Sequence, residues 1–242
     1  MNNAVADPTD PPVEPTAETE PHYLGHRKRL REKLLSQGGD AMADYELLEL
    51  LLMLAIPRRD VKPLAKTLLK RHGGFAEVIA AEAALLSRER GISDTGVAAL
   101  KIVQAAAIRL LKDRVRSRPL INSWEHLLDY CVAAMAHDRN EQFRVLFLDA
   151  RSQLIADEVQ NRGTIDHTPV YPREVIRRAL ELGAASLILV HNHPSGDPAP
   201  SQNDIEMTRA VRDAARTVGV TIHDHVIVGR TGYVSFKSKG LL

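Results

Sequence analysis

Between residues 191 and 204 the chain reads HNHPSGDPAPSQND, and four of those side chains have the chemistry of a metal site. His191 and His193 stand two residues apart, and in extended backbone residues i and i+2 project to the same side, so two imidazoles meet with little rearrangement. Asp204 adds a carboxylate. Ser201 is placed to cap a helix, which makes Asp204 the third helical residue, where the helix dipole favours a negative charge. Two histidines and one aspartate suit one zinc ion, which in catalytic sites takes three protein ligands and keeps a fourth position for water. Zinc lowers the pKa of that water to about 7 and polarises a carbonyl. A general base is missing from this stretch and must come from elsewhere in the sheet. The same letters have a plainer reading: histidines near a turn are often exposed, and Ser-x-x-Asp is close to a capping box without any metal. Asp197, between Gly196 and Pro198, could compete as a ligand but reads better as a turn former.

Such a site needs a strand end, a tight turn and a helix start in that order. ASLILV is a short apolar strand of the buried kind, and open α/β sheets place sites at the C-terminal ends of their strands. The chain turns through Pro194–Gly196 and returns at Pro200–Ser201, and QNDIEMTRAVRDAARTVG follows as a helix. Around this unit, EQFRVLFLDA and SQLIADEVQ read as strands joined at Ala150–Arg151. Pro172 opens a helix that stops at Gly183, and VTIHDHVIV is a further strand. Ser123 can cap WEHLLDYCVAAMAH. Alternating strands and helices imply an α/β layer with helices covering a sheet.

The N-terminal half has another period. HRKRLREKLLSQGG ends at a glycine pair, Asp44 can cap YELLELLLMLAI, and Asp60 can cap VKPLAKTLLKRHGG. FAEVIAAEAALLSRER is helical, as is TGVAALKIVQAAAIRLLKDR, where Val97, Leu100, Val103, Ala107 and Leu110 recur at helical spacing. RVRSRPLINS interrupts the pattern. The division is therefore a tail over residues 1–22, an all-α domain over 23–117 and an α/β domain over 118–242.

The tail carries five acidic residues and no Lys or Arg, and it lacks the basic start and apolar run of a signal peptide. It is expected to be disordered. Without it, the formal charge rises from +1 to +6 over residues 23–242, which permits anionic partners without demanding one. No apolar stretch reaches membrane-spanning length, so no membrane partner and a cytoplasmic location are expected. Cys131 is the single cysteine; it excludes a disulfide framework and reads as a buried small hydrophobe.

Three look-alikes fail on spacing. HNH nucleases spread their residues over a ββα unit, metallo-β-lactamase sites need His-x-His-x-Asp-His, and amidohydrolases place His-x-His on the first strand of a large barrel. By contrast, His-x-His, seven residues, Ser, two residues, Asp is the signature of the JAMM (MPN+) metalloproteases. With DHVIVG, EQFRVLFLDA, NRGT, YPREVIRRALELGAAS and GYVSFKSKG, residues 120–242 resemble the bacterial RadC family. REKLLSQGGDAMADYELLELLL resembles the helical domain that precedes its catalytic domain. The resemblance implies a mixed sheet of the MPN/JAMM type, akin to cytidine deaminases, behind a helix-hairpin-helix-like domain. It also implies one zinc on His191, His193 and Asp204, with Glu141 as the general base and Ser201 bonding the water or an oxyanion. From the residues alone Glu141 would be a solvated strand-edge charge. Asp224 and His225 could orient a ligand from behind, or form a buried structural pair. Arg162 and Thr164 could line a substrate groove; His72 and His126 are simplest as helix-surface or helix-end residues.

The implied activity is cleavage of a peptide or isopeptide bond in an unidentified protein or peptide. The family's traditional name carries DNA repair as the alternative, through DNA binding or a metal-dependent nuclease; a non-catalytic interaction module is a third reading. Two basic runs, Arg27, Lys28, Arg29, Arg31, Lys33 and Arg109, Lys112, Arg114, Arg116, Arg118, could meet phosphates. However, the hairpin turn Gly91-Ile92-Ser93-Asp94-Thr95-Gly96 has Ser93 where such elements carry a second glycine, and Asp94 adds a negative charge.

Overall fold

The structure, a computed structural model, describes residues 25–57, 59–116, 124–162 and 170–242. The acidic tail, Arg118, the Ser123 cap and Thr164, and the side chains of Arg116 and Arg162, lie outside the described residues.

The N-terminal unit is helical, with α1 (His26–Gln37), α2 (Asp44–Ala55), α3 (Lys62–His72), α4 (Phe75–Ala80), α5 (Ala83–Leu86) and α6 (Asp94–Arg116). Asp60 is not the cap of α3, which is Val61; Asp60 lies one residue further out and accepts the Lys62 N–H at 3.0 Å, and Gly73, in the left-handed region, ends the helix. Asp44 does not cap α2: Ala43 is the cap, and Glu46 reaches back to accept the Ala43 N–H at 3.0 Å. FAEVIAAEAALLSRER is two helices, because Ala81 and Glu82 are extended and turn Leu86 into the core beside Val78.

Helix α6 departs from its simple stripe. Val97 and Leu100 are buried in the helical core, but Ala107 is exposed and Leu110 is 70% exposed. Over 23 residues a regular three-and-four spacing drifts around the helix. The buried face continues instead through Ile108, Leu111 and Val115, which pack in the core of the C-terminal unit. One helix thus serves both cores.

The C-terminal unit comprises α7 (Trp124–Met135), β1 (Gln142–Leu148), β2 (Leu154–Arg162), α8 (Pro172–Leu182), β3 (Ser186–Asn192), α9 (Gln202–Thr217), β4 (Thr221–Gly229) and β5 (Gly232–Ser235). The strands form a mixed sheet in the order β2-β1-β3-β4-β5, in which β3 and β4 are parallel and the other pairs antiparallel. A parallel pair needs a crossover, which α9 supplies. Even-numbered Ile188, Val190, Val226 and Val228 join the core under α7 and the end of α6; odd-numbered Phe143, Val145, Leu187 and Leu189 join the core under α8 and α9. Strand β3 therefore runs through the centre with both faces covered, as its continuous apolar run requires.

A buried polar cluster ties α6 to the sheet. Asp157 on β2, with its side chain 1% exposed, takes Arg144 Nη1 on β1 at 2.6 Å, Lys112 Nζ on α6 at 2.7 Å, and the hydroxyl of Tyr130 on α7. Burial alone would raise the Asp157 carboxyl pKa, but the charge of Arg144 and the bonds from Lys112 and Tyr130 outweigh it and hold the pKa low. A depressed carboxylate pKa stabilises the fold above its unfolded value near 4, and that contribution is lost as pH falls through the folded value. Asp157→Ala strands Arg144 in the interior, and urea denaturation is expected to show a loss of about 3–5 kcal/mol. Lys112→Ala, whose partner is still matched by Arg144, should cost well under half of that; equal losses would show that the cluster is not anchored on Asp157.

Candidate metal centre

Strand alternation places the first candidate ligand. His191 lies in β3 on the α9 side of the sheet, with Phe143 opposite it in the antiparallel register of β1. His193 follows just beyond the strand, held in line by its N–H on the Val228 carbonyl at 2.9 Å. Carrying the Phe143–His191 register two residues further puts Glu141 across from His193. Glu141 immediately precedes β1, which starts at Gln142, rather than opening the strand.

The Pro- and Gly-rich stretch is a clamped fold-back. Gly196 has φ +94°, and its carbonyl oxygen lies 2.3 Å from where a Cβ on Gly229 would stand, so residue 229 must be glycine for the backbones to approach. Arg230 donates to the Pro194 and Ser195 carbonyls at 3.1 and 2.7 Å, and Thr231 Oγ1 donates to the Gly196 carbonyl at 3.1 Å. Asp197 is the turn former: its Oδ1 accepts the Ala199 N–H at 3.0 Å, and its main-chain carbonyl accepts from His193. The chain then enters α9 through Ser201, whose Oγ accepts the Asp204 N–H at 3.1 Å while Asp204 Oδ2 accepts the Ser201 N–H at 2.8 Å. The capping box is real, and it aims Asp204 at the histidines.

Asp204 Oδ1 lies 3.1 Å from His191 Nε2, Oδ2 lies 3.4 Å from His193 Nε2, and the two Nε2 atoms are 3.0 Å apart. Ligands about 2.0–2.1 Å from a tetrahedral ion are roughly 3.3 Å from one another; each imidazole stands near that distance from its own Asp204 oxygen, and one ligand atom from each of the three residues lies within 4.8 Å of the others, a spacing that one small divalent metal could span. The tautomers fit as well. His193 Nδ1–H donates to the Asp197 carbonyl at 2.8 Å, which leaves Nε2 as the lone pair. Thr208 Oγ1 donates to the Asp204 carbonyl at 2.5 Å and so accepts from His225 Nδ1–H at 2.6 Å. His225 is neutral, because burial pushes its pKa well down and the neighbouring His191 adds to that. Its Nε2 therefore accepts from His191 Nδ1–H at 2.8 Å, and His191 too presents a bare Nε2. Two lone pairs and a carboxylate converge on one point, and a cation there relieves their repulsion.

Burial would raise the Asp204 carboxyl pKa, but when protons rather than a cation sit on the two Nε2 atoms, the hydrogen bonds from His191 and His193 and the charge of His191, with the Ser201 hydroxyl, hold it well below the usual carboxylate range. The pKa of His193 is raised, chiefly by its bond to Asp204 and against its burial, with the Asp197 carbonyl and the charges of Asp204 and Glu141 adding. Glu141, His193, Ser201 and Asp204 line one open cleft of about 810 Å³, rimmed by Arg139 and Arg230 and by Glu82 of the helical unit.

Of the pair Asp224 and His225, only His225 backs a candidate ligand, His191. Successive strand residues face opposite sides, and Asp224 turns to the α7 side, where it accepts from Ser235 Oγ at 2.5 Å and the Lys237 N–H at 2.9 Å. Asp224 anchors the C-terminal turn. Thr208, which sequence reading missed, was signalled by its position one turn after Asp204 on α9. Cys131 is buried and its thiol pKa is pushed up to about 12 by burial, as befits an inert core residue. His72 ends α3, 3.4 Å from Glu89, far from this chemistry.

Partners that fix a ligand's tautomer typically contribute 10–100-fold in metal affinity. Thr208→Val is expected to weaken metal binding by about that factor, read by competition with a chelator, because His225 loses the acceptor that sets its tautomer. Since a proton and a metal compete for His193 Nε2, and its pKa is raised, affinity should fall as pH drops through values above the ordinary imidazole range near 6.5. A flat pH profile between 6 and 8, or wild-type affinity in Thr208→Val, would contradict this relay.

Residues 121–241 match the family model described as a RadC-like JAB domain, and residues 23–98 match the UPF0758 N-terminal model. A UPF0758 protein of Rhodobacter capsulatus is 58% identical over 213 residues, covering 88% of this chain and all of the relative. A UPF0758 protein of Ruegeria pomeroyi is 53% identical over 223 residues, covering 92% of this chain and all of the relative. The α/β unit, with its two histidines on a strand end and an aspartate on the next helix, is thus a JAB domain of the RadC type, and the chain belongs to the RadC (UPF0758) family.

Proposed function

We propose that this chain is a zinc-dependent hydrolase of the JAMM type that cleaves a peptide or isopeptide bond. The observation that carries the reading is the convergence of two bare imidazole nitrogens and one carboxylate on a point beside Glu141 and Ser201, in one open cleft. Zinc held by His191 Nε2, His193 Nε2 and Asp204 would supply a bound water of pKa about 7 and a polarised carbonyl. Glu141 takes the proton of the attacking water and passes it to the leaving nitrogen as the C–N bond breaks. Ser201, at the N-terminus of α9, donates its hydroxyl to Asp204 Oδ2 at 2.6 Å and would turn it to the developing oxyanion, where the helix dipole also favours negative charge.

The cleft is open and lined by charged and amide side chains, which suits a polypeptide more than a small apolar compound. Part of the charge that a nucleic acid would need is engaged within the fold. Arg27 donates to the carbonyls of Met53, Ile56 and Arg59 and so caps α2, Lys33 pairs with Glu46 at 2.6 Å, and Lys112 pairs with Asp157. In the hairpin turn, the Gly96 N–H, one amide a phosphate would use, is taken by Ser93 Oγ at 3.3 Å. These contacts favour a protein or peptide substrate over DNA, and among the described residues no helix is long and apolar enough to cross a membrane. We place the protein in the cytoplasm.

Metal analysis with an unbiased screen of peptides and isopeptide-linked conjugates tests the reading. Wild type should carry one zinc per chain, His191→Ala and Asp204→Ala should lose it, and Glu141→Gln should keep it while turnover falls about 10²–10⁴-fold. Full activity in Glu141→Gln, or wild-type protein that takes up no stoichiometric zinc, would refute it.

A further inference from the structure

The residue between the two histidines faces the other way. Asn192 is completely buried on the α7 side of β3, and its amide is turned toward the segment that carries Glu141. The paired register of β1 and β3 runs from Leu148–Ser186 to Phe143–His191, and at the next position the Asn192 side chain takes over from the main chain. Asn192 Oδ1 accepts the Gln142 N–H at 2.8 Å, and Nδ2 donates to the Asn140 carbonyl at 3.1 Å and the Asp138 carbonyl at 3.3 Å.

These partners belong to particular peptide groups. The Asn140 carbonyl is in the peptide bond that precedes Glu141, and the Gln142 N–H is in the one that follows it. Peptide groups are planar, so the backbone has two soft torsions per residue. One buried amide thus holds both planes that flank Glu141, and with them the φ and ψ that set the direction of its Cα–Cβ bond. Full burial gives that amide no water to exchange with, and an amide left unpaired there would be unfavourable.

We propose that Asn192 is a positioning residue that aims Glu141 at the attacking water, so that the triplet His191-Asn192-His193 sets two metal ligands from one face of β3 and the general base from the other. The proposal rests on Glu141 being that base. It separates Asn192 from a merely structural asparagine: the histidine side chains lie on the opposite face, so changing Asn192 leaves the ligands in place and displaces the base alone. A small displacement is enough, since about 1 Å at a reacting group can change a rate by about 10²-fold.

Cobalt(II), loaded into the full chain in place of zinc, is the probe, because its visible spectrum follows the protonation of the water at the open position and needs no substrate. A carboxylate beside that water disfavours its loss of a proton, so Glu141→Gln should lower the spectral midpoint by about one pH unit. Asn192→Ala should bind one cobalt and move the midpoint in the same direction by at least half as much. The double variant should coincide with Glu141→Gln, because a base that is gone cannot be misplaced. If Asn192→Ala fails to fold, Asn192→Thr, which suits a strand, is read in the same way. Asn192→Ala titrating with wild type while Glu141→Gln is shifted would overturn the proposal and leave the base assignment standing, as would a double variant shifted further by the full Asn192 increment. Glu141→Gln titrating with wild type would remove Glu141 as the base, and the proposal with it.

Discussion

Two imidazole nitrogens that face each other 3.0 Å apart beside a carboxylate are an unfavourable arrangement without a cation, and the C-terminal unit is organised to hold it. Each contributor comes from a different kind of element. His191 is fixed by the centre of a sheet buried on both faces, His193 by a turn hydrogen-bonded to β4, and Asp204 by the first turn of α9. None of these can shift without disturbing a core, a backbone contact or a cap. The relay from His191 through His225 and Thr208 returns to the main-chain carbonyl of Asp204, so the set of candidate ligands closes on itself. Such closure gives each ring one tautomer, which is what a metal ligand requires.

Backbone approach matters as much as side-chain chemistry. The fold-back between β3 and α9 lies against the β4–β5 turn so closely that Gly229 has no space for a Cβ. Arg230 then closes over Gly196, with its guanidinium donating to two consecutive carbonyls of the turn. The parallel pairing of β3 with β4 brings these elements together, since it aligns the ends of both strands at the edge where the cleft opens. The ordinary rule that open sheets place chemistry at strand C-termini acquires a specific cause here.

How much of this could be read from the letters depends on the range of the interaction. His191, His193, Ser201 and Asp204 lie within fourteen residues, and their spacing encodes strand parity and helix phase, so their convergence was legible. Glu141 lies fifty residues upstream and meets them through an antiparallel register that no local periodicity reports; only the family resemblance brought it into view. Asp224 and His225 were offered as a pair, although strand parity alone assigns them to opposite faces. Leu110 shares the helical spacing of Val97 and Leu100, yet the length of α6 has rotated it away from their core. The capping role of Arg27 depends on the C-terminus of α2, some thirty residues on, and a run of basic residues looks the same whether it is spent on carbonyls or left for a partner.

The two units are less separate than their different periods suggest. Helix α6 contributes Val97 and Leu100 to one core and Val115 to the other, and its Lys112 reaches Asp157, the carboxylate that also holds Arg144. Arg144 in turn donates to the Gln142 side chain at 3.3 Å, one residue from Glu141. On the outer side, Glu82 of the helical unit stands at the rim of the cleft, 3.9 Å from Arg139. The helical unit therefore touches the proposed base region from two directions, through a buried ion cluster behind the sheet and through the cleft wall in front. A substrate entering that cleft meets both units at once, which makes the helical unit part of the site's shape even if it contributes no reacting group.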